Sequence, residues 1–254
     1  MARPSSPWSS RHTPTTAWHI VAPRLVEAGF TVICPDLRGH GRSTSPAPTQ
    51  DCSAHLKRAV AADMAQMMTA LGYERFHLVG HDRGSYVALS LALDHEQRID
   101  HLALLDCTPS REHLARADAR FANMWWHWFF LARPESPERV ITADVDSCYC
   151  GDPETMGAAN YAEWREAIND PRVVLATLED YRAGLTIDRG HEEADKATGR
   201  RLEVHLLQLW SLRDDLDELY GDPRVFWKDW AGAVSGRGSP TGHAAEATVA
   251  SLRT

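Results

Sequence analysis

A single sharp turn constrains the fold of this chain more than any other feature. Residues 78–84 (LVGHDRG) have the pattern of a strand end, a Gly-x-Asp-x-Gly turn and a helix start. A chain that passes directly from strand to helix strains its central residue, so we expect strain at Asp82. Side chains at the flanking positions would clash, which explains Gly80 and Gly84. The turn therefore presents Asp82 at a helix N-terminus, where an anion is favoured.

The segments around this turn alternate between strand and helix. Apolar spacing predicts helices over residues 57–71 and 83–95, and short apolar runs predict strands over 30–35, 75–80 and 101–106. Strands that are separated by helices form a mostly parallel sheet with helices on both faces. The sequence thus predicts an α/β fold.

A long helical stretch interrupts this alternation. Residues 110–200 show helices broken by Pro and Gly, and the next strand pattern is residues 202–210 (LEVHLLQLW). We therefore predict a core formed by residues 1–106 and 201–254. Residues 107–200 are predicted to form a helical cap, or lid, inserted into that core.

The composition argues against several classes of partner. Apolar residues make up 43% and charged residues 24%, as in soluble globular chains. The 27 Lys and Arg against 35 Asp and Glu give a net charge of −8, which disfavours a nucleic-acid partner. No apolar run approaches the ~18–20 residues that span a bilayer, so we expect no membrane partner. Five cysteines without paired spacing predict a cytoplasmic location.

Asp82 has two interpretations at this point. It stands where a hydrolase nucleophile would stand, but an Asp at a helix start is also a common N-cap. Ser85 lies three residues further on and cannot be the nucleophile of this turn, which disfavours a serine hydrolase. No His-Glu-x-x-His or similar spacing is present, which argues against a metal hydrolase.

Five ordered motifs resemble a known family. The Asp82 turn and residues 35–43 (PDLRGHGRS) resemble the α/β-hydrolase fold, in its branch with an aspartate nucleophile. Three more motifs resemble the fluoroacetate and haloacetate dehalogenases and the related epoxide hydrolases: residues 104–109 (LLDCTP), 126–130 (WHWFF) and 180–184 (DYRAG). The likeness runs from about Trp18 to His243. It implies a cofactor-free hydrolase that acts on a small molecule, and a homodimer is compatible with it.

The resemblance assigns the catalytic roles. Asp82 matches the nucleophile, which forms a covalent ester, and His243 matches the base that activates water to hydrolyse it. The alternative interpretation of His243 is a histidine in a solvent-exposed loop without a catalytic role. The acid that orients this base is either Asp106, which could instead be a strand-end cap, or Asp214, which could instead belong to a solvated acidic run. We favour Asp106.

The resemblance also assigns substrate contacts. Arg83 matches the arginine that holds a substrate carboxylate, a task that suits the guanidinium fork. The dehalogenases carry a second arginine where this chain has Tyr86, which favours a neutral or larger substrate. The residues that match the halide donors of the lid, or else form an aromatic lid core, are His127, Trp128 and Tyr181.

The front of the chain departs from the family pattern. The family pattern has about three strands and a His-Gly-x-Pro loop before the segment that corresponds to residue 30, but only about 29 residues precede it here. The nearest match to the loop is residues 11–14 (RHTP), in which Thr13 would supply the oxyanion N–H. Residues 1–16 have the composition of a loop, and a last helix is predicted from Ala244. We expect a member of the family without its N-terminal strands, in which one sheet edge is exposed or differently paired. The leading hypothesis is a haloacid dehalogenase; the alternatives are an epoxide hydrolase with the same Asp and His, or an inactive binding protein.

Overall fold

The computed structural model describes residues 18–148, 153–212 and 215–239. Two predicted catalytic residues, His243 and Asp214, lie outside these ranges. The loop predicted over residues 1–16 and the helix predicted from Ala244 lie outside them as well.

The sheet of the described residues consists of parallel strands in the order β1-β2-β3-β4. Their bounds are Phe76–His81 (β1), Ile99–Leu105 (β2), Leu206–Ser211 (β3) and Val234–Ser239 (β4). Because all of these strands run in the same direction, their carboxyl ends lie at one edge of the sheet. Ligands of open α/β sheets bind beyond this edge.

Three α-helices precede β2 in the described part of the chain. They are α1 (Val21–Glu27), α2 (Lys57–Ala70) and α3 (Arg83–Asp94). Apolar residues of α2 and α3 form one buried cluster with β1, β2 and the side chains of Trp227 and Trp230. This cluster fixes the start of α3, and with it the Asp82 turn, against the sheet.

A helical segment separates β2 from β3. Its described helices are α4 (Ser110–Leu114), α5 (Ala119–Met124), α6 (Trp126–Leu131), α7 (Ser136–Ala143), α8 (Val145–Cys148), α9 (Pro153–Met156), α10 (Ala158–Ile168), α11 (Pro171–Leu185) and α12 (Ile187–Ala197). The segment packs around a second, aromatic-rich cluster that also includes Tyr86 of α3 and Trp210 of β3. Helix α13 (Asp215–Tyr220) and short 3-10 helices at Ser53–His55, Glu96–Arg98 and Pro223–Asp229 complete the described elements.

Most predicted elements are confirmed, with shifts of a few residues at their ends. The strand predicted over residues 30–35 is wrong: these residues show no strand pairing, and the amide of Phe30 donates to the carbonyl of Leu25 at 3.1 Å. The run has the residue types of a strand, but a strand forms only where a neighbour pairs with its backbone.

Strand β4 was not predicted from the sequence. Residues 234–239 (VSGRGS) show no apolar alternation, and two glycines are unusual inside a strand. The structure explains the glycine at position 236, because a Cβ there would lie 1.8 Å from the carbonyl oxygen of Gln208. The missing side chain allows β4 to approach β3.

Gly80 allows helix α3 to turn back tightly over the end of β1. A Cβ at Gly80 would lie 2.7 Å from both the Gly84 carbonyl oxygen and the Ser85 Cα, and 2.9 Å from the Ala88 Cβ. A Cβ at Gly84 would meet nothing within 4 Å among the described residues. The clash expected at both glycines is therefore found at Gly80, and the expectation is wrong for Gly84 within the described structure.

We predict that Gly80→Ala lowers the free energy of unfolding and that Gly84→Ala does not. The first substitution forces a methyl group against backbone atoms and should lower the free energy of unfolding by ~1–3 kcal/mol. The second replaces a helical glycine and should be neutral or stabilising by up to ~1 kcal/mol. Urea unfolding of both variants checks this; equal unfolding midpoints would contradict it.

Candidate active site

Asp82 occupies the strained position that the turn predicts. Its backbone has φ 48° and ψ −120°, a conformation that a non-glycine residue rarely adopts. The amide of Asp82 donates to the Leu105 carbonyl at 3.1 Å, and its own carbonyl accepts from the Ser85 amide at 2.9 Å. Asp82 is the N-cap residue of α3 by position, but its carboxylate accepts no capping bond from the helix.

Asp106 lies beside this turn, directly after β2. His81 pairs with Leu105 in the sheet register, which brings the residues that follow each strand together. One carboxylate oxygen of Asp106 accepts from the Ser211 amide at 2.7 Å, and the other lies 3.3 Å from Nε2 of His81. His81 was not predicted from the sequence to be a site residue.

The three predicted lid donors are buried in the helical segment. His127 and Trp128 belong to α6 and Tyr181 belongs to α11. The rings of His127 and Tyr181 meet perpendicularly, with 6.2 Å between their centroids. Two helices that are distant in the sequence therefore bring a histidine and a tyrosine to one point.

Arg83 and Tyr86 connect these donors with the Asp82 turn. The Arg83 guanidinium lies 4.2 Å from the Tyr181 ring centroid and 5.3 Å from that of Tyr86. Tyr86 in turn contacts Trp128 edge-on, with 6.1 Å between the ring centroids. Six of the described candidate residues form one connected cluster: Asp82, Arg83, Tyr86, His127, Trp128 and Tyr181. Asp106 lies beside this cluster, where the sheet places the end of β2 next to the Asp82 turn.

A carboxylate of the protein itself engages Arg83. Nε of Arg83 donates to Oδ2 of Asp180 at 2.5 Å, and Nη2 donates to the Asp180 backbone carbonyl at 3.0 Å. Burial alone would raise the pKa of Asp180, but the positive charges of Arg83 and Lys57 hold that pKa below its usual range. Asp180 is the first residue of the DYRAG motif, but its contact with Arg83 was not predicted from the sequence.

Lys57 is a second cation that contacts Asp180, and this contact was not predicted from the sequence. Its ammonium group donates to Oδ1 of Asp180 at 2.5 Å and lies 3.3 Å from Oδ2 of Asp188. Lys57 is the first residue of α2, where the helix dipole disfavours a cation. That unfavourable placement of a cation is a signal available in the sequence.

The described residues contain no group of three or more His, Cys, Asp or Glu side chains arranged to hold a metal ion. None of the helices in the described ranges is long and apolar enough to cross a membrane.

Comparison with known proteins identifies the family. Residues 10–140 match the sequence profile of the α/β hydrolase fold family. The chain is 35% identical over 240 residues to a fluoroacetate dehalogenase from Burkholderia sp, which covers 89% of this chain and 76% of that protein. It is 31% identical over 233 residues to a soluble epoxide hydrolase from Corynebacterium sp. (strain C12), which covers 86% and 76% of the two chains.

A solved structure gives the same result. An α/β hydrolase from Nostoc sp PCC 7120 superimposes with a TM-score of 0.89 and 36% identity, over 95% of this chain and 86% of that one. The parallel sheet, the Asp82 turn and these relatives confirm the fold and the resemblance predicted from the motifs. The chain therefore belongs to the α/β-hydrolase fold family, and it is a hydrolase of the dehalogenase or epoxide hydrolase type.

Proposed function

We propose that this hydrolase cleaves the carbon–halogen bond of a small haloacid with Asp82 as the nucleophile. The observation that supports this most is the connected cluster in which Arg83 and Tyr86 join the strained Asp82 turn to the buried His127, Trp128 and Tyr181. A nucleophile, a cation and a set of donors for an anion are the parts that such a reaction needs.

In the first step, a carboxylate oxygen of Asp82 attacks the carbon that bears the halogen. The new carbon–oxygen bond forms an ester, and the halide leaves with the electron pair of the broken bond. The positions of the donors beside the turn support this step. Imidazole, indole and phenol N–H or O–H groups would stabilise the departing charge in a pocket without water.

In the second step, water attacks the carbonyl carbon of the Asp82 ester. His243 would accept a proton from this water, and Asp106 would orient and stabilise the histidine when it becomes charged. When the ester bond breaks, the departing alkoxide takes up a proton and leaves as the hydroxy acid, the Asp82 carboxylate is restored, and His243 releases its proton to solvent. The backbone and His81 contacts of Asp106 support its role because they fix both carboxylate oxygens at the end of β2.

A second candidate function, epoxide hydrolysis, is favoured by the surroundings of Arg83. Tyr86 occupies the position of the second carboxylate-binding arginine, and burial raises its pKa well above the usual value, so it remains a neutral phenol. Asp180 already engages two nitrogens of Arg83. In epoxide opening, His127 and Tyr181 would donate to the ring oxygen while the same Asp82 attacks carbon.

We predict that His243→Gln allows alkylation of Asp82 but prevents hydrolysis of the ester, because no base activates the water. Incubation with chloroacetate should then produce an intact-mass increase by one carboxymethyl group, located on Asp82 by peptide mapping. The double variant with Asp82→Asn is the control and should show no adduct. Full turnover by His243→Gln without an adduct would contradict the assignment.

We predict that Trp128→Phe separates the two candidate reactions. If the indole N–H stabilises a departing halide, its removal should slow haloacid turnover ~10²–10³-fold, the usual effect of losing one oxyanion-type donor. Trp126→Phe is the matched control, because the neighbouring Trp126 side chain is 44% exposed. If Trp128→Phe slows haloacid turnover by less than about threefold (~0.65 kcal/mol), the halide site is wrong and epoxide hydrolysis is preferred.

A further inference from the structure

Four charged side chains form a buried network behind the proposed substrate site. Lys57, Arg83, Asp180 and Asp188 come from α2, α3, α11 and α12, and each is at most 8% exposed. Charges as deep as these persist only when partners compensate them. Each of the four has at least one partner of opposite charge within the network.

The network is balanced, with two positive and two negative groups. Asp180 lies between the two cations, and both Lys57 and Arg83 also donate to its backbone carbonyl, at 3.2 Å and 3.0 Å. Asp188 supplies the second negative charge of the network. Its Oδ1 accepts from the Lys57 amide at 3.0 Å, and its Oδ2 lies 3.3 Å from the Lys57 ammonium group. Arg83, which adjoins Asp82, is therefore the member closest to the reaction.

Balance matters because charge acts over longer distances in a buried site than in water. In a protein interior of low effective dielectric constant, one unpaired unit charge several ångströms away changes the binding of an ion substantially. It has little effect on an uncharged ligand of the same shape. The charges behind Arg83 thus influence an anionic substrate without touching it.

We propose that Lys57, Asp180 and Asp188 are specificity-determining residues that set, through Arg83, how strongly the site prefers a carboxylate over a neutral ligand. The proposal rests on the proposed function in one respect, namely that the substrate binds beside Arg83. Loss of the Lys57 charge leaves the network at −1 and repels a carboxylate. Loss of the Asp188 charge leaves it at +1 and attracts one.

The test compares two ligands that differ mainly in charge, fluoroacetate and fluoroacetamide. Their dissociation constants are measured by ¹⁹F NMR titration at one fixed pH, because His40 and Glu192 are titratable neighbours of the network. All proteins carry Asp82→Asn, so that no turnover occurs during the titration. Failure of the proposed reaction would therefore appear in turnover assays of the Asp82 protein and not in this measurement.

We predict opposite shifts in the two charge variants. Relative to the Asp82→Asn parent, Lys57→Met should reduce the preference for fluoroacetate about tenfold, and Asp188→Asn should raise it about tenfold, a change of ~1.4 kcal/mol in each direction. Asp188 makes no contact with Arg83 among the described residues, so its variant changes the charge while leaving the Arg83 contacts in place. Lys57→Arg keeps the positive charge and should show the same ligand preference as the parent.

Glu179→Gln is the matched control. Glu179 neighbours Asp180 on α11 and is also buried, but it pairs with Arg182 at 3.0 Å outside the network. Its ligand preference should equal that of the parent. If Lys57→Met does not fold, as judged by circular dichroism, Asp188→Asn decides alone. An unchanged preference, a shift in the same direction for both charge variants, or no binding of fluoroacetate to the Asp188→Asn protein would overturn the proposal.

Discussion

The arrangement of the site depends on one buried carboxylate, that of Asp180. It is held between the ammonium group of Lys57 and the guanidinium of Arg83, and so connects α11 of the helical segment with α2 and α3. Removing such charges from water costs several kcal/mol each, which a well-formed set of partners must offset. Loss of one partner from a buried pair typically costs ~3–5 kcal/mol, because it leaves an uncompensated charge.

This contact also places the two halves of the proposed chemistry beside each other. Arg83 follows Asp82 in the chain, and Tyr181 follows Asp180. The ion pair between Arg83 and Asp180, together with the Arg83 guanidinium above the Tyr181 ring, therefore joins the strained turn to the donors of the helical segment. A strained residue is maintained only when its surroundings fix it, and here the sheet and the ion pair both contribute.

A feature could be predicted from the sequence when the residues that form it lie close together along the chain. The strand-turn-helix at Asp82 and the helices around it are local, so glycines and apolar spacing sufficed to predict them. The partner of Arg83 is 97 residues away, and nothing in the spacing identifies Asp180. Strand β4 was missed because its glycines suit close packing on β3 and carry no apolar pattern.

The central claim is that the Asp82 carboxylate, and not water, attacks the carbon atom of the substrate. Single-turnover reaction with excess enzyme in ¹⁸O-labelled water tests this claim directly, with mass spectrometry of both the product and the protein. If Asp82 attacks first, the product carries an unlabelled oxygen from the carboxylate, and the label enters Asp82 when water opens the ester. Full incorporation of the label into the product of the first turnover, with an unlabelled Asp82, would contradict the account.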